Sequence, residues 1–283
     1  MRQIGLRINK KGELEYKLWL KHLVKKMDYK SKLLNFFKNP NRKAPLNKRI
    51  NSYTTEEPET IKWIESFSSD SNLVFYDIGS NIGGFSIIAS LIHDDIQIYS
   101  FEPNFMNFNY QIKTCRDNKL SNIFPLNLAI NDKNEFNFFK YDKRHGLEVG
   151  SKGTFGEELK EQMLNSQYGN PFKGGISYEA GILGVSLDSL VYEFNLKVPN
   201  YIKIDVDGTE LLILKGAKKL LKDEKLREIY IEIDDEIYSN NEIEILMSDY
   251  DFEVKSDINV GSKHKIFGPT NIWPMRMVLY ARQ

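Results

Sequence analysis

The residues best suited to chemistry form a glycine-rich stretch, Asp77-Ile78-Gly79-Ser80-Asn81-Ile82-Gly83, between two apolar segments. The apolar run before it is typical of a buried strand, and the segment after it has helical character. Glycines in such a loop allow turns that a side chain forbids and let a ligand approach closely, while the first N–H groups of the helix attract an anion. The pattern predicts a nucleotide-like cofactor bound by Asp77, Gly79, Ser80, Asn81 and Gly83.

The spacing of the glycines indicates which cofactor this is. A dinucleotide site follows the pattern G-x-G-x-x-G. Here three other residues separate Gly79 from the pair Gly83-Gly84. The acidic residue Asp77 would repel a phosphate group but attract an ammonium group. S-adenosylmethionine carries an ammonium group and a carboxylate but no phosphate, so we predict S-adenosylmethionine as the cofactor.

A second acidic residue, Glu102, ends the next predicted strand, 23 residues after Gly79. In nucleotide-binding α/β folds an acidic residue at about this distance, roughly 20 residues on, accepts hydrogen bonds from the ribose hydroxyls. We therefore predict that Glu102 binds the ribose; the alternative is that it only caps the helix that follows. Asn127, at the end of the predicted third strand from Ile123, is placed to contact the adenine.

Charged residues interrupt two further apolar strands, and they are candidates for the reaction itself. Lys203 and Asp205 share one face of the first strand, and Glu232 and Asp234 share one face of the second. Carboxyl ends of adjacent parallel strands converge on the ligand crevice. The predicted catalytic residues are Asp205, Glu232, Lys203 and Glu210, with a carboxylate as general base. Asp205, Glu232 and Asp234 are also candidate ligands of Mg²⁺, which prefers oxygen. In the structural alternative, Lys203 neutralises Asp205 and Glu210 caps a helix.

Alternating strands and helices predict an α/β fold, a doubly wound and mostly parallel sheet. Two closing strands, Asp251 to Ser256 and Met275 to Arg282, would complete seven strands as a hairpin. Within the domain at residues 51–283, residues 142–184 show no strong periodicity and are predicted to form a lid or substrate loop. Thr154, Phe155 and Tyr178 are the candidates there for contacts with the substrate.

Residues 1–50 form a basic N-terminal arm that is predicted to be partly helical. They contain fifteen Lys or Arg and three acidic residues, a net charge of +12, whereas the rest carries 24 basic and 36 acidic residues. We expect the arm either to contact an anionic surface, nucleic acid or a phosphorylated carrier, or to lie against the acidic domain.

Bulk composition predicts a protein of the cytoplasm. Apolar residues make up 41% of the chain, enough for a full core. No apolar run approaches the roughly 20 residues of a membrane span, and the first residues lack the apolar centre of a secretory signal. A single cysteine, Cys115, excludes an internal disulfide and is typical of a reducing compartment.

These motifs together resemble the FkbM family of S-adenosylmethionine-dependent methyltransferases, over roughly Tyr53 to Gln283. The motifs that carry the resemblance are Glu57-Pro58-Glu59-Thr60, Asp77 to Gly83, Phe101-Glu102-Pro103, Ser186-Leu187-Asp188-Ser189-Leu190 and Lys203 to Glu210, continuing through Lys215-Gly216-Ala217. The resemblance implies a class I methyltransferase (Rossmann-like) fold and O-methylation of a small-molecule or glycan hydroxyl, on a sugar or a secondary metabolite. It assigns Asp77, Gly79, Asn81, Gly83 and Glu102 to the cofactor. Asp207 departs from the family pattern, because many relatives have Glu there.

Two other functions stay open. A nucleic-acid (RNA) methyltransferase would use the basic arm, but amino-group enzymes of that kind usually carry an Asn or Asp followed by two prolines after the fourth strand. This chain has Asp205-Val206-Asp207-Gly208 at that place. If the carboxylates prove unnecessary, the chain is a cofactor-binding module without catalysis.

Overall fold

The computed structural model describes residues 57–142, 149, 153–156, 176–206, 208–235, 237–238, 241–260 and 275–282. The predicted basic arm at residues 1–50, most of the segment 142–184, and Asp207 lie outside the described residues. The helices are α1 (Pro58–Glu65), α2 (Gly84–Ile92), α3 (Phe105–Asn118), α4 (Leu187–Tyr192), α5 (Glu210–Lys215) and α6 (Glu242–Ser248), with a 3-10 turn at Leu220–Lys222. The strands are β1 (Val74–Ile78), β2 (Gln97–Phe101), β3 (Ile123–Leu126), β4 (Ala129–Asn131), β5 (Glu135–Asp142), β6 (Gly153–Phe155), β7 (Ile176–Ser186), β8 (Tyr201–Ile204), β9 (Glu228–Asp234), β10 (Phe252–Asn259) and β11 (Met275–Arg282).

Strands of the described residues form a seven-stranded mixed sheet in the order β10-β11-β9-β8-β1-β2-β3. Five neighbouring strands, from β9 to β3, are parallel, and the closing hairpin is antiparallel, with β11 beside β9. The chain leaves β1 toward β2 and β3 and later returns on the other side of β1 as β8 and β9. Strand order therefore reverses at β1, the kind of position where α/β sheets open a ligand crevice. The predicted seven-stranded sheet and its C-terminal hairpin are confirmed.

The core follows from the residues that build these strands. Every residue of β1 is buried, as expected for a central parallel strand covered on both faces. Along β9, Ile229, Ile231 and Ile233 are fully enclosed, and they alternate with more exposed acidic residues toward the end of the strand. Helix α1 begins at Pro58 and buries Trp63, whose indole N–H donates to Glu228 at 2.8 Å.

A second sheet, in the order β4-β7-β5-β6, includes two strands from the segment 142–184, which was predicted to form a lid or substrate loop. Strands β6 and β7 lie in that segment and pair antiparallel with β5. The strand signal is hidden because glycines leave room for rings from neighbouring strands. A Cβ at Gly181 would come within 2.5 Å of the Phe136 ring, and one at Gly184 within 2.5 Å of the Phe155 ring. Leu183, on the face shared with Phe136, is exposed, so apolar alternation is weak.

The third strand was predicted to run from Ile123 to Asn127, and β3 ends one residue earlier, at Leu126. The chain then turns before β4 enters the second sheet. Residues between the two sheets thus come to lie beside the carboxyl ends of β1 and β2. The turn between β3 and β4 positions the wall of the candidate site.

Two further observations concern the helices. Within the described part of the chain, none of the helices combines the length and the apolar character that crossing a bilayer requires. Burial raises the pKa of the Cys115 thiol, on α3, to about 11, so the thiol stays protonated at neutral pH and packs as a small apolar group.

Candidate functional site

The glycine loop after β1 joins the ends of three strands. The N–H groups of Gly79 and Ser80 both donate to the Phe101 carbonyl oxygen at the end of β2, at 3.0 and 3.1 Å. Gly79 has a φ of +75°, and a Cβ there would come within 1.9 Å of the backbone oxygen of Asp205, just after β8. Only glycine tolerates both the left-handed backbone and this close approach. The loop therefore brings β1, β2 and β8 together at the predicted cofactor position.

Glu102 borders the cleft with a fixed orientation. Its side chain accepts hydrogen bonds from the backbone N–H of Asn81 at 2.7 Å and from the backbone N–H of Asn104 at 2.9 Å, and the residue is 5% exposed. Asn104 itself caps α3, because its side chain accepts from Met106 N–H at 2.9 Å. The helix cap predicted as the alternative role of Glu102 is thus filled by Asn104, and Glu102 instead ties β2 to the glycine loop.

Asp77 lies beneath the glycine loop and not in the cleft. It is 1% exposed and accepts a hydrogen bond from the Ser86 hydroxyl, on α2, at 2.6 Å. Burial raises the pKa of the Asp77 carboxyl, while the Lys203 ammonium and the Ser86 hydrogen bond act in the opposite direction. Ser80 is also buried, with its hydroxyl against the Phe101 carbonyl at 3.3 Å. These residues shape the loop from below, and the contact predicted between Asp77 and the cofactor stays a prediction.

Asn127 holds the backbone beside Glu102. Its side-chain amide donates to the carbonyl oxygens of Glu102, at 2.8 Å, and Pro103, at 3.0 Å. Both amide hydrogens are used in this way, which fixes the orientation of the side-chain oxygen. The predicted contact between Asn127 and an adenine ring stays a prediction.

Lys203 and Asp205 form an ion pair that connects the buried sheet to the cleft. The Lys203 ammonium lies 2.5 Å from Asp205 Oδ2, and Lys203 is 1% exposed, whereas the Asp205 side chain borders the cleft. Burial alone lowers the pKa of Lys203, but Asp205, Glu57 and Asp77 together raise it above its usual value. The ammonium is thus charged at neutral pH, and it stabilises and orients the Asp205 carboxylate.

Glu210 is buried at the start of α5, where its side chain fixes the turn that precedes the helix. Its carboxylate accepts from Gly208 N–H at 3.2 Å and from the Tyr238 hydroxyl at 2.8 Å. The predicted catalytic role of Glu210 is therefore not supported by its position, since Glu210 is absent from the described residues that line the cleft.

The predicted Mg²⁺ ligands Asp205, Glu232 and Asp234 do not form a cluster. Among the described residues, no group of three or more His, Cys, Asp or Glu side chains has the arrangement needed to hold a metal ion. Strand β8 ends at Ile204, and Asp205, the next residue, turns its carboxylate to Lys203. Glu232 and Asp234 remain within β9, and neither is among the described residues that line the cleft. The predicted metal site is wrong for this arrangement, and a catalytic role of Glu232 gains no support.

The cleft lies between the carboxyl ends of β1, β2 and β8 on one side and the second sheet on the other. Its lining residues are Ile78, Gly79, Asn81, Phe101, Glu102, Pro103, Leu128, Ala129, Ile130, Phe139, Gly153, Thr154, Phe155, Asp205, Val206 and Thr209. The predicted substrate-contact residues Thr154 and Phe155 border the cleft, whereas Tyr178 is exposed on β7 opposite Tyr141.

Thr209 and Phe139 are among the residues of the cleft that were missed. Thr209 stands next to Glu210 in a motif whose acidic residues drew attention, and nothing in its own type marks it as a site residue. Phe139 belongs to a strand with visible alternation, but the sequence does not show which face of that strand meets the cleft.

The sheet order, the glycine loop after β1 and the acidic residue that ends β2 together define a methyltransferase-like α/β fold with a nucleoside crevice at the strand-order reversal. The Methyltransferase FkbM domain matches residues 77–254. The chain belongs to the FkbM methyltransferase family, as its motifs predicted.

The chain is also similar to individual methyltransferases. The hexuronic acid methyltransferase AglP of Haloferax volcanii is 28% identical over 149 residues, which is 53% of this chain and 52% of that protein. The chain thus spans about half the length of the curated relative it matches. A precorrin-6y C5,15-methyltransferase from Geobacter metallireducens is 12% identical with a TM-score of 0.44, covering 80% of this chain and 87% of that one. Fibrillarin of Aeropyrum pernix, solved with S-adenosyl-L-methionine, is 13% identical with a TM-score of 0.44, covering 80% and 74%.

Proposed function

We propose that this protein is an S-adenosylmethionine-dependent O-methyltransferase that acts on a hydroxyl group of a sugar or glycan. The observation that carries the proposal is the meeting of Gly79, Glu102 and the Lys203-supported Asp205 at one cleft. Membership of the FkbM methyltransferase family supports the reaction. The match to a hexuronic acid methyltransferase supports the acceptor class.

The cleft has the features that a phosphate-free nucleoside cofactor requires. Gly79 lets the loop pass directly against the Asp205 backbone at the cleft, and Glu102 presents a carboxylate that can accept hydrogen bonds from ribose hydroxyls. Asn127 holds the adjacent backbone, beside which we place the adenine. When bound, S-adenosylmethionine supplies a methyl group that is already activated by the sulfonium.

The chain's own residues then have two tasks: to orient the acceptor hydroxyl and to receive its proton. Alignment of reacting atoms accounts for a large part of such a rate acceleration. Phe155, Thr154 and Thr209 form the wall against which we expect the acceptor to lie. Asp205 borders the same cleft, and its carboxylate is the group proposed to accept the proton that the hydroxyl loses. Lys203 keeps that carboxylate oriented, and is a positioning residue.

The proposal is tested by incubating the purified protein with methyl-labelled S-adenosylmethionine and either fractionated saccharides or total RNA. We expect label in saccharide, in an alkali-stable ether linkage, and loss of that label in the Asp205→Asn variant. Label in RNA and none in saccharide would overturn the acceptor class. Binding of S-adenosylhomocysteine without label in any fraction would indicate a binding module instead of an enzyme.

A further inference from the structure

A buried amide on α3 supports the cofactor loop from below. Gln111 is 1% exposed and lies under the turn between β1 and α2. Its Nε2 donates to the Asn81 carbonyl oxygen at 2.7 Å and to the Ser80 hydroxyl at 2.6 Å. Its Oε1 accepts from the Ser100 hydroxyl, on β2, at 2.8 Å. Both donors of the side chain and its acceptor oxygen are engaged, so this position is matched to an amide.

The contact is close enough to restrict the loop itself. A Cβ at Gly83 would come within 2.8 Å of Gln111 Cγ, so the loop crosses directly over the glutamine side chain. Gly83 has a φ of +81° and Asn81 a φ of +52°. Non-glycine residues in this left-handed region are strained by about 1 kcal/mol or more, and they persist only where neighbouring contacts fix them. Gln111 supplies such a contact at Asn81.

Asn81 is held from two sides. Glu102 accepts a hydrogen bond from its backbone N–H at 2.7 Å, and Gln111 donates to its carbonyl oxygen at 2.7 Å. Glu102, which we propose binds the ribose, and Gln111 therefore hold the two peptide groups on either side of Asn81. A change at Gln111 alters the position of Asn81 relative to the Glu102 carboxylate.

We propose that Gln111 is a positioning residue for cofactor binding, which sets the orientation of Asn81 and thereby the fit of the loop to the nucleoside. This inference rests on the proposed function, because it assumes that S-adenosylmethionine binds at the loop. Gln111 borders neither the acceptor wall nor Asp205. We therefore expect a change at Gln111 to weaken cofactor binding and to leave acceptor binding unchanged.

The test compares Gln111→Glu with a matched amide-to-acid change, Asn122→Asp, at the amino ends of the strands. Asn122 accepts from the Ser90 hydroxyl at 2.7 Å and donates to the Ile96 carbonyl at 3.1 Å, so the two changes are chemically alike. For each variant, melting temperature, the dissociation constant of S-adenosylhomocysteine and the separate KM values for cofactor and acceptor are measured.

We expect Gln111→Glu to weaken S-adenosylhomocysteine binding and raise the cofactor KM by about 10- to 100-fold, since an ionised glutamate cannot donate to Asn81 or Ser80. The acceptor KM should change by less than about threefold, and lowering the pH should restore part of the affinity, because a protonated glutamate donates again. Asn122→Asp should lower the melting temperature and leave both KM values unchanged.

The milder Ser100→Ala variant keeps the test decisive if Gln111→Glu does not fold. It removes only the hydroxyl that fixes Gln111 Oε1, and we expect a cofactor affinity about three- to tenfold weaker. Unchanged cofactor affinity in every folded variant at Gln111 or Ser100 overturns the inference alone, since wild-type binding would still support the proposed function. No binding of S-adenosylhomocysteine by the wild-type protein overturns both.

Discussion

Replacing Lys203 with methionine is the perturbation whose consequences the structure specifies most fully. Methionine keeps most of the aliphatic volume of Lys203 but removes its charge. The ammonium lies 2.5 Å from Asp205, its centre is 4.8 Å from the Phe85 ring centroid, and Asp77 and Glu57 are close enough to raise its pKa. The Lys203→Met variant therefore leaves buried carboxylates without their cation.

The expected loss is large. Removing one partner of a buried ion pair costs about 3–5 kcal/mol, against a total stability of about 5–15 kcal/mol for a typical domain. For a domain of this size each kcal/mol lowers the melting temperature by about 2–4 °C, so a decrease of about 6–20 °C is expected. An exposed lysine on α3 gives the control: Lys113→Met should change stability by no more than about 0.5 kcal/mol.

The loss should also depend on pH. Burial raises the pKa of Asp77 above 3.8, so the native state binds more protons than the unfolded chain at pH values between 3.8 and the raised pKa. Stability therefore falls as the pH rises through this window. Without Lys203 the pKa of Asp77 rises further, the window extends to higher pH, and the deficit of Lys203→Met should be greater at pH 8 than at pH 5.

The assay is urea unfolding at both pH values, followed by the fluorescence of the buried Trp63. Removing both partners of an ion pair costs less than removing one, so Lys203→Met with Asp205→Asn should regain part of the lost stability. If Lys203→Met unfolds within about 0.5 kcal/mol of the wild type, or shows the same deficit at pH 5 and pH 8, then the ion pair does not carry the energy assigned to it.

Three further substitutions distinguish residues that act in the reaction, in cofactor binding and in stability of the fold. Asp205→Asn should lower kcat by about 10²- to 10⁴-fold, while the affinity for S-adenosylhomocysteine stays within about threefold of the wild type. A normal rate in single-turnover measurements would show that Asp205 is not the proton acceptor. Gly79→Ala places a Cβ within 1.9 Å of the Asp205 backbone oxygen and should lower both melting temperature and cofactor affinity, so calorimetry that finds wild-type affinity contradicts the close approach. Glu210→Gln should cost about 1–3 kcal/mol in urea unfolding while kcat per folded molecule changes by less than about threefold, whereas a selective loss of kcat would return Glu210 to the catalytic residues.

Much of the site could be predicted because its signals are local. The turn at Gly79 needs a backbone that only glycine adopts easily, and Glu102 follows an apolar strand at the spacing that a ribose contact requires. Alternation along β9 identified that strand for the same reason, since its own side chains show which face is buried.

Other parts depend on contacts between distant segments. Gln111 is 30 residues from Asn81, and its role arises only when α3 lies against the glycine loop. Asp77 was assigned to the cofactor by its position in the motif, but the direction of its side chain depends on how α2 presents Ser86. Strand alternation put Lys203 and Asp205 on one face, so their ion pair was foreseen as the structural alternative. It could not show that Glu232 and Asp234 of β9 would not be among the described residues that line the cleft. Glycines that accommodate neighbouring rings concealed β7.

The most direct test of the central claim is calorimetric titration of S-adenosylhomocysteine into the wild-type protein and into Glu102→Ala. The account predicts saturable binding at one site per chain by the wild type, and an affinity about 10- to 100-fold weaker in Glu102→Ala, whose melting temperature is measured in parallel. Absence of binding by the folded wild-type protein, or equal affinity in the two proteins, would contradict a nucleoside held at the end of β2.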